Sequence, residues 1–336
     1  MNRVRVCSIG TGRAGMIHAR NVSTNISDAE LVALLDKDEE AAKKGADELG
    51  VEYYTDLDEM IKEENFYAVT IATPTFTHAD IAVKVAENGK HIFCEKPLAI
   101  TLEEADQMEE AVEEAGVRFM IGFMRRYDEG FLEAKEKIDS GEIGEIMSVR
   151  SVGRGPGLPP KWAWDPELSN GNLAEVNSHD FDAIRWLTGD EFKSVFARGD
   201  NYKTPEVAEE FPSFYDNAVV SFKMESGIIG TVDSTCPAGY GYDARMEILG
   251  DEGVIFIGEV ARSGVSVCTE KEDFKKPAVS SWQNLFREAY WKEMKHFIDC
   301  VRNDKEPRTT LKDGRKAIEV VLASNDSMGK NIETEV

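Results

Sequence analysis

A glycine-rich turn, a strand-end lysine and a helix-borne histidine are the residues of this 336-residue chain whose types and spacing do chemistry. Gly10-Thr11-Gly12-Arg13-Ala14-Gly15 follows the apolar run VRVCSI and opens a helical pattern. In that setting Gly10 permits a tight turn, Gly12 lets the backbone approach a pyrophosphate, and Gly15 allows close helix–strand packing. Thr11, Arg13 and Ala14 stand at the helix start, whose N–H groups donate to phosphates. Asp36 ends the next apolar run, LVALLD, 21 positions after Gly15. A carboxylate at that offset accepts from adenosine ribose hydroxyls and repels a 2′-phosphate, so the pair predicts NAD rather than NADP, with Lys37 softening the discrimination. FAD is disfavoured because no second, flavin-covering segment is present.

The run YAVTIAT leads into Thr73-Pro74-Thr75-Phe76-Thr77-His78, and HIFC leads into Glu95-Lys96-Pro97. In a doubly wound sheet the carboxyl ends of strands line the ligand crevice, so Thr73, Pro74, His78, Glu95 and Lys96 are expected beside the cofactor. Pro97 restricts Lys96 to extended conformations and so fixes where its side chain points. His179 lies in Glu175-Val176-Asn177-Ser178-His179-Asp180-Phe181-Asp182, ahead of the helical run AIRWL. With Asn177 or Ser178 as N-cap, His179 falls in the first helical turn, where the positive end of the dipole favours the neutral imidazole that a general base requires. Carboxylates stand four residues before it and three after.

The elements that must position these groups fall into two sets. Through residue 123, short apolar runs alternate with amphipathic helical patterns at 13–25, 38–49, 76–89 and 101–115, which predicts a parallel sheet with helices on both faces. After a helix near 128–139 the segments MSVRSVGR, KSVFARGD, NAVVSFKM, GIIGTVDSTC, ARMEILG and GVIFIGE are short, alternating and punctuated by Gly or Asp. They predict a large, mostly antiparallel open sheet, followed by closing helices near 284–303 and 313–329. The fold expected is therefore α/β: an N-terminal Rossmann doubly wound domain (1–123) and a C-terminal α+β domain (124–336) for substrate and oligomerisation, whose closing helices pack back on the first.

The net charge of −24 at pH 7 excludes nucleic acid and anionic membrane as default partners, and 42% hydrophobic residues suffice for sizeable cores. No apolar run approaches a membrane span and no signal-peptide pattern opens the chain, so a cytoplasmic location is expected. Five cysteines, Cys7, Cys94, Cys236, Cys268 and Cys300, lie far apart with no CxxC, so they are expected as reduced thiols and no metal site is expected.

Gly-x-Gly-x-x-Gly, then Glu-Lys-Pro, then Gly122-Phe123-Met124-Arg125-Arg126-Tyr127-Asp128 together resemble the glucose-fructose oxidoreductase and inositol dehydrogenase family (Gfo/Idh/MocA). The stretch GFMRRYD and Tyr240-Gly241-Tyr242-Asp243 resemble its inositol 2-dehydrogenases in particular. The resemblance implies NAD-dependent oxidation of a secondary hydroxyl of a cyclic polyol or sugar to a ketone. It implies a catalytic set of Lys96, His179 and the carboxylate four residues before the histidine, which is Asp in the family and Glu175 here. It also places Arg125 at cofactor and substrate, and Arg154, Asp182, Tyr240 and Tyr242 at substrate, and it implies dimers or tetramers through the open sheet. Gly153 and Gly155 stand where inositol dehydrogenases carry polar substrate contacts, which predicts extra room on one wall. Two alternatives remain at this point: a sugar oxidoreductase that holds its cofactor tightly, and an NAD-binding sensor without turnover.

Overall fold

The structure is a computed structural model and describes residues 3–259, 267–269, 272–275 and 279–336, with 267–269 and 272–275 as backbone only. The side chain of Cys268 lies outside that description; Cys7, Cys94, Cys236 and Cys300 are buried free thiols. Internal packing divides the chain into two units, Met1–Tyr127 with Glu288–Ile318, and Asp128–Arg287 with Glu319–Val336.

The first unit is built on six strands: β1 (Val4–Ile9), β2 (Ala29–Leu35), β3 (Glu52–Tyr54), β4 (Ala68–Ile71), β5 (His91–Glu95) and β6 (Phe119–Gly122). All pair in parallel in the order β3-β2-β1-β4-β5-β6. The order reverses between β1 and β4, which puts the ligand crevice at the carboxyl ends of those two strands. Strand β4 is buried at every position, as a strand covered on both faces must be. The sequence gives no signal for β3, a three-residue strand with exposed side chains.

Between the strands run α1 (Arg13–Arg20), α2 (Glu39–Leu49), α3 (Leu57–Glu63), α4 (His78–Glu87) and α5 (Leu102–Ala115). Their ends follow local chemistry. Asp38 accepts from Ala41 N, Asp56 accepts from Glu59 N, and Thr101 and Glu104 form a reciprocal capping box. Gly50 and Gly116 end α2 and α5 in the left-handed conformation that a Cβ disfavours. Each cap is worth about 1 kcal/mol.

The second unit opens with α6 (Glu129–Asp139), capped by Asp128, and is dominated by one sheet. Its strands are β7 (Ile146–Arg154), β8 (Phe192–Asp200), β9 (Asn217–Met224), β10 (Ile229–Thr235), β11 (Asp243–Gly250) and β12 (Val254–Ile257). The segments β13 (Val267–Thr269) and β14 (Glu272–Lys275) form a separate hairpin, and β15 (Thr334–Glu335) joins the edge of the large sheet. The order is β12-β11-β7-β10-β9-β8-β15; only the β7/β10 pair is parallel. In β9 the residues Ala218, Val220, Phe222 and Met224 are buried and their alternates exposed, the period of two expected of a sheet with one wet face. Short helices α7 (Pro166–Ser169) and α9 (Pro205–Glu210), the longer α8 (Ser178–Thr188), and α10 (Trp282–Leu285) complete this unit. Of the closing helices, α11 (Arg287–Asn303) belongs almost wholly to the first unit, and α12 (Leu311–Lys330) passes from the first unit into the second.

Candidate active site

In the first unit the glycine turn is shaped by contacts that only glycine tolerates. Gly10 sits at φ +96°, and a Cβ there would lie 2.5 Å from Ala72 O, the start of the turn after β4. A Cβ at Gly15 would fall onto Gly10 O. Around Gly12, by contrast, a Cβ would meet nothing within 4 Å, and no side chain caps the start of α1. Asp36 stands beside this turn: its Oδ2 accepts from Thr11 N at 2.8 Å and Thr11 Oγ1 at 2.7 Å, while Oδ1 accepts from Asp38 N at 3.1 Å and keeps acceptor capacity. An open backbone cradle with a carboxylate one turn away fits a dinucleotide diphosphate and its ribose.

Thr73 and Pro74 are half-buried at the carboxyl end of β4. His78 is 1% exposed, with Nδ1 2.9 Å from Pro97 O and Nε2 2.9 Å from Thr73 O. Both ring nitrogens thus face backbone carbonyls, one of them donating from the neutral ring, and the residue sits between the Thr73 turn and the Pro97 turn. Burial is the largest influence on its pKa, which lies below the ordinary value.

At the end of β5, Glu95 is buried, with Oε1 bound by His18 Nε2 at 2.7 Å and Oε2 by Lys96 N at 3.2 Å. Burial pushes its carboxyl up, but the His18 bond and the His18 and Lys96 charges more than offset that and hold it below the usual range. A carboxylate only accepts, so His18 Nε2 is the donor. Both Glu95 oxygens thus meet protein donors. Lys96 is half-buried, and its peptide bond to Pro97 is cis. Arg125 lies in the 3-10 turn Met124–Tyr127 and is 1% exposed.

In the second unit, Glu175, His179 and Asp182 recur at positions 0, +4 and +7 and share one helical face. His179 is 6% exposed and Asp182 fully buried, with Glu175 half-buried. The backbone around them corrects one expectation. Asn177 keeps right-handed helical dihedrals (φ −99°, ψ −1°) and makes no capping bond, because the π-helical turn Leu173–Asn177 runs straight into α8. His179 thus stands well inside a continuous helical run, and the positive end of the dipole, whose influence fades within the first turn, is not what sets its charge. A π-helical insertion of this kind is frequent at functional sites.

Asp180, on the opposite side of the helix, anchors this junction to the sheet. Its Oδ1 accepts from Ser151 Oγ at 2.5 Å and its Oδ2 from Asn177 Nδ2 at 3.0 Å. A Cβ on Gly153 would fall onto Asp180 Oδ2, and one on Gly155 would lie 2.6 Å from Cys236 Sγ. The space beside these glycines is filled by the protein's own buried side chains, so the expected extra room on that wall is absent. Nearby, Asn172 Oδ1, Asn177 Oδ1 and Ser178 Oγ are buried with no hydrogen-bond partner.

Alternation along β7 turns Ser151 and Gly153 toward α8 and Arg154 to the other face, where its guanidinium grips Asp233 at 2.8 and 2.6 Å and reaches Tyr240 Oη at 3.2 Å. Tyr240 in turn donates to Asp243 at 2.7 Å, and burial, then Asp243, raises its pKa. Arg245 closes the chain on Asp243. Tyr242 is 6% exposed, its ring edge-on to Phe286. Arg154 and Tyr240 thus bind each other and the carboxylates of Asp233 and Asp243. Among the described residues no three His, Cys, Asp or Glu side chains converge as metal ligands, and no helix is long and apolar enough to cross a membrane.

Residues 4–123 match the family profile described as oxidoreductase family, NAD-binding Rossmann fold, and residues 131–256 match the GFO/IDH/MocA C-terminal domain. The chain belongs to the Gfo/Idh/MocA oxidoreductase family. It is 37% identical over 336 residues to scyllo-inositol 2-dehydrogenase (NAD(+)) of Bacillus subtilis (strain 168), covering 100% of this chain and 97% of that one. It is 34% identical to a myo-inositol 2-dehydrogenase of Thermotoga maritima, over 97% of this chain and 96% of the relative. The solved scyllo-inositol dehydrogenase of Lactobacillus casei with bound NAD(H) and scyllo-inositol superposes with a TM-score of 0.92 at 27% identity, over 99% of each chain. The protein is an NAD-dependent oxidoreductase, and its Rossmann unit is the NAD-binding part.

Proposed function

We propose that this enzyme oxidises a secondary ring hydroxyl of an inositol to the ketone. The observation that carries the reading is Lys96 at the carboxyl end of β5, next to the strand order's reversal point, in a chain similar over its whole length to inositol 2-dehydrogenases. When bound, NAD supplies the hydride acceptor. The open cradle at Gly12 and the Asp36 carboxylate hold its diphosphate and ribose. The ammonium of Lys96 holds the substrate oxygen and stabilises alkoxide character as it develops. His179 takes the hydroxyl proton, Glu175 on the same helical face orients the imidazole, and Asp182 accepts from a neighbouring ring hydroxyl. Arg125, at the end of β6, supplies positive charge toward cofactor and substrate. Unpaired polar atoms of Asn172, Asn177 and Ser178 suit a ligand dense in hydroxyls.

We further assign the enzyme to the cytoplasm as a dimer or tetramer. The wet face of the large sheet carries Val219, 46% exposed and opposite Asp233 of the Arg154–Asp233 pair, and Ile229, 57% exposed and further along β10, which suits contact with a second copy. Sedimentation as a monomer at micromolar concentration would overturn the oligomer.

The test is a spectrophotometric screen of inositols, pyranoses, aliphatic alcohols and 2-hydroxy acids with NAD and NADP. Inositols should turn over with NAD, and analogues lacking one hydroxyl should be poor because the site's polar groups would be left unpaired. Aliphatic alcohols outrunning every inositol and sugar would refute the assignment.

A further inference from the structure

His18 takes part in none of the roles above. It lies in the last turn of α1, fully shielded from solvent, its ring 4.7 Å from that of Phe93 and 5.7 Å from that of Tyr290. Its Nε2 donates to Glu95 Oε1, while Nδ1 meets no partner. As a core residue this is a poor choice, since a Leu or Met of similar size packs without leaving a buried polar atom unsatisfied. What the imidazole does provide is a short bond to a charged acceptor, of the kind that holds geometry best. The acceptor's other oxygen receives the backbone N–H of Lys96. On the neighbouring strand, the Gly122 backbone flanks this carboxylate: a Cβ there would lie 3.3 Å from Glu95 Cδ and Oε2, so the missing side chain leaves the carboxylate its place.

We propose that His18 and Glu95 are positioning residues that aim Lys96 at the substrate oxygen. The proposal deepens the reading given for Lys96 and rests on it. The chain of contacts runs from the α1 imidazole through the Glu95 carboxylate to the Lys96 backbone, which sets the direction of its Cα–Cβ bond. Helix α1 is only eight residues long and begins beside Gly12, so the same rigid element presents its N–H groups to the dinucleotide at one end and fixes Lys96 at the other. Displacing a reacting group by about 1 Å costs on the order of 100-fold in rate, so loosening this linkage should be felt in turnover.

The experiment uses scyllo-inositol and NAD, with NAD affinity measured separately by calorimetry. His18→Phe keeps the ring volume and removes the donor. It should lower kcat by about 10- to 100-fold while the Kd for NAD stays within about threefold. His18→Gln, which retains an N–H donor, should recover most of that loss. Glu95→Gln should lower kcat similarly and serves as the test if His18→Phe does not fold. In a Lys96→Ala background, adding His18→Phe should cost nothing further, because the two act as a unit. The proposal is overturned by a His18→Phe kcat within about twofold of wild type, by NAD affinity falling in step with kcat, or by a fully additive double variant. A Lys96→Ala enzyme that keeps its activity would instead overturn the underlying role of Lys96.

Discussion

Lys96→Ala should lose at least about 100-fold in kcat, the low end for a positioned proton-transfer or oxyanion group, while NAD still binds through the glycine turn and Asp36. Activity within a few-fold of wild type would remove Lys96 from the mechanism. Asp36→Ala should weaken NAD binding and narrow its preference over NADP, since one carboxylate both accepts ribose hydroxyls and repels a 2′-phosphate. A wild-type enzyme that already favours NADP would contradict this. The shape of the glycine turn was legible because its constraints are local: Gly10 needs a positive φ, and Gly15 needs a missing Cβ. Which residue of VGRG meets α8 was not legible, because a shift of one residue along a strand reverses the face a side chain takes. His18 carried a signal that went unused: it lies three residues after Gly15, on the same face of α1 that packs against the sheet.

Among the elements, the π-helical turn ahead of α8 does most to define the site. The sequence NSHD suggested a helix start there, because Asn and Ser are good caps. What overrides that preference is tertiary: Asp180 is drawn to Ser151, and Asn177 spends its amide on Asp180 rather than on the helix end. Gly153 is the sheet residue that makes room for this contact. Gly153→Ala should therefore destabilise the protein by about 1–3 kcal/mol, the usual range for overpacking, and should lower kcat as His179 shifts. A melting temperature and kcat both unchanged in that variant would show that the junction does not depend on the glycine. The two sheets were readable from periodicity, continuous in β4 and alternating in β9. The short β3 and the hairpin of β13 and β14 were not, since three or four residues carry too little pattern.

For the whole molecule, the division of the closing helices could not be read from the sequence. The amphipathic patterns of α11 and α12 show that each has a buried face, but not which core receives it. Part of the molecule's response to acid follows from two half-buried histidines in the first unit, His91 and His296. His91 Nδ1 accepts from Arg118 N at 2.9 Å and His296 Nε2 accepts from Arg308 N at 3.0 Å, so protonation sets N–H against N–H. Burial first, then the neighbouring Arg118 and Arg308 charges, hold both rings below their ordinary 6.5. The folded protein therefore binds fewer protons than the unfolded chain, and this stability is complete above about pH 6.5 and is lost as the pH falls through the lower folded values. Protonating carboxylates also relieves the self-repulsion of a chain with net charge −24, so the proper reference is the double variant His91→Gln, His296→Gln. Urea midpoints should show wild type losing more stability than that variant between pH 7.5 and about pH 5. Equal losses would mean that these histidines titrate alike in both states.

The proposed reaction passes a hydride from a ring carbon of an inositol to NAD. The most direct measurement uses scyllo-inositol deuterated at its carbinol carbons, with the reduced cofactor and the organic product analysed by mass spectrometry and NMR. One deuterium is expected on the reduced nicotinamide for each ketone formed, with both signals lost in Lys96→Ala. Reduced cofactor without deuterium, or inositol recovered without any ketone in the presence of excess NAD, would contradict it.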